Sequence, residues 1–294
     1  LKGDIPILIS PDSADVWSEP DIFDLSLSIG APPDRYNTQG QYWGFPKPDL
    51  QAMRDTGFLW WKQRLSYAAN FYDLYRIDHT VGLFRLWAIE SGRPSVEGRF
   101  APLSPTKWKP LGEELLRVFI EASDMLPIAE DLGSIPRFVR PTLQKLGICS
   151  TLLMRWELDD LDQFIDPKHY PFISMTCVST HDSTTLEQWW KEEPKEAKKY
   201  AKSHGWNYHP SLSQEQRKSL LQESLNSKSL FHINLFSEYL ALIPELVHED
   251  PNEERINIPG TISNSNWTYR FKKPLEYITS HPEFTSLMQE LFSQ

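Results

Sequence analysis

The sequence predicts an α/β fold of the (β/α)8 TIM barrel type, of which this chain supplies the carboxyl-terminal six strands with loop and helical insertions. Short apolar or β-branched runs alternate along the chain with helical stretches, as in parallel sheets with crossover helices. Three of the runs end directly in an acidic residue, at Asp78, Glu130 and Asp182. In barrel enzymes the catalytic residues lie at the carboxyl ends of the strands and in the loops that follow them.

Each candidate strand is short, apolar or β-branched, and stops at polar residues or glycine. The candidate strands are 5–10, 74–79, 125–130, 150–155, 173–180 and 256–262. The predicted helices are 58–71, 112–123, 134–146, 214–225 and 229–246. The second of these helices has Leu115, Leu116, Phe119 and Ile120 at helical spacing, and the third is closed by Gly147.

A closed barrel of this type needs eight strands, so we expect residues 1–294 to be the carboxyl-terminal part of a single catalytic barrel domain, with two strands upstream. The gaps between the predicted strands are uneven, and the extra residues lie in the connections that run from a strand to the following helix. Residues 11–50 are expected to form an active-site loop excursion, and 88–109 a second one. Residues 185–250 are helical and charged, which indicates an insertion or an outer-helix region.

Bulk composition excludes several classes of partner. A net charge of −10 and a pI near 5.3 argue against nucleic acid. The sequence has neither a long uncharged apolar stretch nor a secretory signal, so we expect no membrane partner and a cytoplasmic location. The two cysteines, Cys149 and Cys177, lie in apolar runs and form no disulfide framework.

The three strand-ending acids suggest catalysis. One such acid is commonly just the N-cap of the next helix. Three in one chain, with Arg76 two residues before Asp78 and His181 directly before Asp182, are hard to assign to capping alone. Residues two apart on a strand share a face, so Arg76 and Asp78 are expected to point the same way.

The surroundings of the acids predict a division of roles. The guanidinium of Arg76 favours an ionised Asp78, as a nucleophile requires. Glu130 follows an apolar run and can more easily hold a proton. This is the arrangement of a retaining glycosidase, in which the two carboxyl groups lie about 5 to 5.5 Å apart. Asp182 supplies a third charge for an oxocarbenium-like transition state.

An ordered series of motifs carries a family resemblance. The motifs are Gly3-Asp-Ile-Pro-Ile7, Asp12-Ser-Ala-Asp-Val-Trp17, Ala31-Pro-Pro-Asp34, Gly40-Gln-Tyr-Trp-Gly44, Tyr75-Arg-Ile-Asp-His79, Ala129-Glu-Asp-Leu-Gly133, Thr180-His-Asp182, Pro259-Gly-Thr261 and Asn266-Trp267. The series resembles that of the 4-α-glucanotransferases of glycoside hydrolase family 77, the amylomaltases or disproportionating enzymes related to α-amylases. The similarity extends to about residue 270 and weakens between 192 and 250.

The resemblance implies a barrel enzyme that cleaves an α-1,4-glucan, holds the glycosyl piece covalently and passes it to the 4-hydroxyl of another glucan or maltooligosaccharide. By motif match, Asp78 is the nucleophile, Glu130 the acid/base and Asp182 the stabiliser. The substrate-binding positions are Arg76, His181, Asp12 and Trp43. No metal or organic cofactor is implied.

The chain departs from the family pattern in two ways. The amino-terminal portion of the family's catalytic domain is absent, and Arg35 stands where an aromatic residue is common, with Tyr36 beside it. Three alternatives therefore remain: an amylase-like hydrolase using the same acids, a glucan-binding fragment without turnover, and, more weakly, a phosphate-handling barrel. A phosphate-handling barrel is the weakest of the three, because no glycine-rich phosphate loop follows any late strand of this sequence.

Overall fold

The computed structural model describes residues 1–33 and 38–293. They form two compact units, Leu1–Thr151 and Leu152–Gln294. Three residues named in the sequence analysis, Asp34, Arg35 and Tyr36, lie outside the described residues. No helix in the described ranges is long and apolar enough to cross a bilayer.

The first unit contains a parallel sheet and an antiparallel sheet. The parallel strands are β1 (Lys2–Ile5), β4 (Leu74–Ile77), β7 (Leu126–Ala129) and β8 (Cys149–Leu153), the last of which continues into the second unit. The antiparallel strands are β2 (Phe23–Ala31), β3 (Gln41–Pro48), β5 (Leu86–Glu90) and β6 (Arg99–Ala101), in the order β3-β2-β5-β6.

The register of the parallel sheet aligns the ends of its strands. Asp4 pairs with Arg76, and Ile77 pairs with Ala129. Strand β1 ends before Pro6, since proline has no N–H to donate to the ladder. The carboxyl ends of β1, β4 and β7 therefore meet at one edge of the sheet.

In the described residues of the first unit, five α-helices accompany the two sheets. They are α1 (Ala14–Ser18), α2 (Leu50–Asp55), α3 (Leu59–Ala68), α4 (Trp108–Glu121) and α5 (Val139–Lys145). Helix α4 buries Leu115, Leu116 and Phe119 on one face. On the same helix, a Cβ added at Gly112 would lie 2.0 Å from the ring of Phe84, so the glycine permits this close approach.

The second unit has its own apolar core. Its strands β9 (Ser174–Cys177) and β10 (Phe231–His232) pair in parallel. Its helices are α6 (Leu186–Glu192), α7 (Pro194–Ser203), α8 (Gln214–Leu225), α9 (Phe236–Leu240), α10 (Leu275–Ser280) and α11 (Pro282–Phe292). The indole rings of Trp189 and Trp190 are buried in this core with Leu220 and Leu221.

Six strands belong to parallel pairs in the described part of the chain, which confirms the predicted α/β class and strand count. Two strands were placed wrongly. The first lies at Lys2–Ile5 and overlaps the predicted 5–10 only at Ile5. Residues 256–262 form no strand, and β10 lies instead within 229–246, a stretch predicted as helix. Pro259 lacks an N–H, and Gly260 has a left-handed φ of 74°, so these residues cannot pair as a strand. The N–H of Ile258 donates to the side chain of Asn266 instead of to a neighbouring strand.

The two excursions contain regular structure. Residues 11–50 include α1, β2 and β3, and 88–109 include most of β5 and all of β6. Gly30 makes the antiparallel sheet possible at one point, because a Cβ there would lie 1.9 Å from the carbonyl oxygen of Gln41. The stretch 185–250 holds helices α6 to α9.

Candidate active site

Two acids leave adjacent strands at the same edge of the parallel sheet. Asp78 follows β4 and Glu130 follows β7. The N–H of Glu130 donates to the carbonyl oxygen of Ile77 at 3.0 Å, and the N–H of Thr80 donates to the carbonyl oxygen of Glu130 at 3.0 Å. These bonds extend the ladder past the last paired residues and hold the two acids side by side.

Arg76 links the carboxylates of three strands. Its Nη1 lies 2.8 Å from Asp4 Oδ2 and 2.9 Å from Asp78 Oδ1, and its Nη2 lies 3.8 Å from Glu130 Oε2. Burial favours the neutral guanidine, but the three nearby carboxylates outweigh burial and raise the pKa of Arg76. The guanidinium therefore stays charged beside Asp78.

Glu130 is the most desolvated acid of this group. Its Oε2 accepts the backbone N–H of His79 at 2.6 Å. Burial raises the pKa of Glu130 to about 8, against the lowering effect of Arg76 and with the help of the Asp78 charge. The carboxyl group therefore carries a proton at neutral pH and can act as an acid.

His79 occupies an unusual backbone conformation. Its φ and ψ are 44° and 50°, in the left-handed region that residues with a Cβ rarely adopt. This conformation directs its N–H to Glu130. Burial, with the positive charges of Arg76 and Arg85, lowers the pKa of His79 to about 4, so the imidazole is neutral at pH 7.

Trp43, on strand β3, packs against that imidazole. The ring centroids of Trp43 and His79 are 4.9 Å apart in an edge-to-face arrangement. The indole N–H donates to Gln41 Oε1 at 2.9 Å. The antiparallel sheet is thus connected through His79 to the carboxyl group of Glu130.

A second buried acid, Asp131, follows Glu130 and links it to strand β8 and helix α5. Asp131 accepts the backbone N–H of Thr151 at 2.8 Å and the Nε–H of Arg140 at 3.1 Å. Burial raises the pKa of Asp131, although Arg140 and Thr151 favour its charged form. The hydroxyl of Thr151 donates in turn to the carbonyl oxygen of Ala129 at 2.7 Å, so the ends of β7 and β8 are tied together.

In the second unit, Asp182 follows β9 by a short turn. Its Oδ1 accepts an N–H of Asn257 at 2.7 Å, and its Oδ2 lies 3.1 Å from Nε2 of His181. The ring of His181 lies 5.5 Å from that of Trp267. Asn257 also donates its backbone N–H to the carbonyl oxygen of His181 at 3.1 Å. Asp182 is therefore fixed by two neighbours while about a third of its side chain stays accessible, at 32%.

The residues singled out in the sequence fall into three groups. Arg76, Asp78, Glu130 and, through His79, Trp43 form one contact network in the first unit. His181 and Asp182 form a pair in the second. Asp12 is exposed in the turn before α1, where its N–H donates to Ser10 Oγ at 3.3 Å.

Three residues in contact with the predicted site residues were not predicted from the sequence: Asp4, His79 and Asn257. Asp4 stands one residue before the end of β1, opposite Arg76, and that position on the sheet was the available signal. His79 and Asn257 gave none, because a backbone conformation and an amide contact 75 residues away in sequence leave no local pattern. Within the described residues, no three His, Cys, Asp or Glu side chains are arranged to hold a metal ion.

Sequence comparisons identify relatives over nearly the whole chain. The family model described as 4-alpha-glucanotransferase matches residues 1–276. The chain is 48% identical over 295 residues to the 4-alpha-glucanotransferase of Chlamydia muridarum, covering 99% of this chain and 55% of the relative. It is 30% identical to that of Clostridium butyricum, with coverages of 92% and 54%. The chain thus spans about half the length of these relatives.

Solved structures show the same fold. The amylomaltase from Streptococcus agalactiae in complex with acarbose matches with a TM-score of 0.76 at 23% identity, over 99% of this chain and 56% of that one. The amylomaltase from Corynebacterium glutamicum matches with a TM-score of 0.73 at 20% identity, over 98% and 45%. The chain therefore has the α/β fold of part of these barrel proteins.

Proposed function

Because the chain belongs to the 4-alpha-glucanotransferase family, we propose that the whole protein cleaves α-1,4-glucans and transfers the glycosyl piece to the 4-hydroxyl of another glucan. The observation that carries this proposal is the pair of neighbouring acids with opposite environments. Asp78 lies 2.9 Å from a charged guanidinium, whereas burial raises the pKa of Glu130 to about 8. Retaining glycoside chemistry needs one ionised and one protonated carboxyl group.

In the first step, an Asp78 oxygen attacks the anomeric carbon of the donor. The glycosidic C–O bond breaks, and the departing 4-oxygen takes the proton of Glu130. The products are a glycosyl ester on Asp78 and a shortened glucan with a free 4-hydroxyl. Asp78 is accessible for this attack, since 36% of its side chain is exposed.

In the second step, the 4-hydroxyl of an acceptor glucan attacks the anomeric carbon of the ester. Its proton passes to Glu130, and the Asp78 carboxylate leaves, so that the configuration is retained. The ester has no charge, which removes the contribution of Asp78 to the raised pKa of Glu130. The same carboxyl group is therefore a stronger acid and a weaker base during the lifetime of the intermediate, yet its burial keeps it able to accept the proton.

The remaining residues are assigned supporting roles in this proposal. Asp182 stabilises the positive charge that develops on the sugar ring, and His181 donates to a sugar hydroxyl. Arg76 keeps Asp78 ionised, and Asp12 binds hydroxyls of the glucan. Trp43 presents an aromatic face on the acceptor side and keeps water from the ester.

The test is to incubate the whole protein with maltotriose and separate the products over time. Glucose together with maltodextrins longer than the substrate supports transfer. Maltose and glucose alone would identify an amylase-like hydrolase and reject the transfer proposal. Glu130→Gln is the matched control, since any products that it forms at the wild-type rate do not come from this site.

Two further proposals concern the context of the reaction. We propose that turnover requires barrel strands beyond the six of this chain, supplied by another part of the same enzyme. Calorimetry with maltooligosaccharides on residues 1–294, beside an activity assay, distinguishes a binding fragment from an active one. A cytoplasmic location stays a prediction, which cell fractionation with an antibody to this protein would test.

A further inference from the structure

Arg155 holds both ends of the segment that carries His181 and Asp182. Its Nη1 donates to the carbonyl oxygen of Val178 at 3.0 Å. Its Nη2 donates to the carbonyl oxygen of Thr184 at 2.6 Å and approaches the Thr184 hydroxyl at 3.2 Å. One side chain thus spans the chain from the end of β9 to the start of α6.

Burial of the Arg155 guanidinium carries a desolvation free energy that other contacts must offset. The residue is only 4% exposed, and its Nε has no hydrogen-bond partner in the part of the chain that the structure describes. Its guanidinium carbon lies 5.3 Å from the ring centroid of Trp189. Burial lowers the pKa of Arg155 to about 10, so the group is still charged at neutral pH. A buried charge is retained only where its hydrogen bonds repay desolvation.

The segment between the two anchored carbonyls contains no helix or strand. Side-chain contacts hold its middle: Ser179 Oγ donates to Glu238 Oε1 at 2.7 Å, and Asn257 donates to Asp182 Oδ1 at 2.7 Å. Arg155 acts instead on its two ends. The planar guanidinium fixes the separation of its two Nη donors. It therefore fixes the separation of Val178 and Thr184, and with it the curvature of the turn that presents Asp182.

A second arginine of the same unit, Arg217, reaches this turn indirectly, through Glu238, whose Oε1 accepts the hydroxyl of Ser179 at 2.7 Å. Arg217 is also buried, but its ion pairs join the side chains of Glu187 and Glu238, on helices α6 and α9. Its partners are carboxylates of helices, whereas the hydrogen-bond partners of Arg155 belong to Val178 and Thr184 at the two ends of one turn.

We propose that Arg155 is a positioning residue, which orients Asp182 for the reaction by clamping the turn that carries it. The inference rests on the proposed role of Asp182 in glucan transfer. Its structural part, the placement of the His181 and Asp182 side chains, can be measured without turnover. Failure of the clamp and failure of the proposed function can thus be told apart.

The experiment compares Arg155→Met and Arg155→Lys with the wild type, in the whole protein. Steady-state transfer from maltotriose gives kcat and KM. Spectra of ¹³C-labelled histidine follow the ring of His181, which lies 3.1 Å from Asp182 and is assigned with His181→Gln. Arg64→Met is the matched control, because that guanidinium lies over Trp60 at 4.5 Å and donates to one backbone carbonyl in the first unit.

For Arg155→Met, we expect a displaced His181 resonance and a kcat lower by roughly 100-fold with little change in KM, as for a displaced catalytic group. Arg155→Lys should recover part of kcat, since an ammonium keeps the charge but reaches one carbonyl at a time. Arg64→Met should leave both readouts unchanged.

Several results would overturn the proposal. A folded Arg155→Met with the kcat of the wild type would reject the proposal. So would a loss of kcat in Arg64→Met equal to the loss in Arg155→Met. If Arg155→Met does not fold, Arg155→Lys decides, and an unmoved His181 resonance with wild-type kcat would reject the clamp. If the wild type itself transfers no glucan, the proposed function falls, while the His181 resonance alone still tests the clamp.

Discussion

Replacing Glu130 with glutamine should remove transfer and, at alkaline pH, stabilise the protein. In the folded chain, burial raises the pKa of Glu130 from its ordinary value of 4.5 to about 8. The native state therefore binds this proton more tightly than the unfolded chain does. The corresponding stability is complete below pH 4.5 and is lost as the pH rises through about 8.

The size of the effect follows from the two pKa values. A difference of about 3.5 in pKa corresponds to about 5 kcal/mol of unfolding free energy. Glutamine has nearly the same shape and does not titrate. The free energy of unfolding of Glu130→Gln, relative to the wild type, should therefore be close to zero at pH 4 and rise by up to ~5 kcal/mol at pH 9.

Urea titrations at pH 4, 6, 7.5 and 9, followed by tryptophan fluorescence, measure this difference, and the chain has 11 tryptophans to report it. Glu121→Gln, at an exposed position at the end of α4, is the control and should show no such trend. A stability difference between Glu130→Gln and wild type that is independent of pH would refute the assignment of a proton to Glu130 in the folded state.

Three further outcomes are expected. Asp78→Asn should abolish turnover and leave the circular dichroism spectrum unchanged, since it removes the nucleophile at constant size; near-normal transfer by this variant would contradict its role. The wild-type rate should fall as the pH rises through about 8, where burial places the pKa of Glu130, and a pH–rate profile that stays flat to pH 10 would count against the acid. Trp43→Leu removes the edge-to-face contact with His79, and should raise the share of hydrolysis over transfer in product analysis, whereas an unchanged ratio would exclude a water-shielding role.

Local patterns were sufficient to predict strands β4 and β7 and the acids that follow them. The alternation of Arg76 and Asp78 along β4 places both side chains on one face, and their 2.9 Å ion pair follows from that spacing. The apolar run before Glu130 likewise accounts for its burial. Both features depend only on strand geometry and on the residues within a few positions of each acid.

Other features depend on contacts that are distant in sequence. Strand β10 is only two residues long and owes its conformation to pairing with β9, so its own sequence carries no strand pattern. The left-handed backbone of His79 is imposed by the packing around it, where Trp43 and Glu130 meet the residue from different strands. Propensity cannot reveal a conformation that tertiary packing selects against the local preference.

The absence of a side chain at Gly112 limits which residues this position can accept. Phe84 is fully buried against it and ends the short turn that starts just after Asp78 and His79. A methyl group at 112 would displace the phenyl ring and, through four intervening residues, the backbone that aims an N–H at Glu130. A substitution at Gly112 should therefore disturb the backbone at His79 as well as the packing of α4.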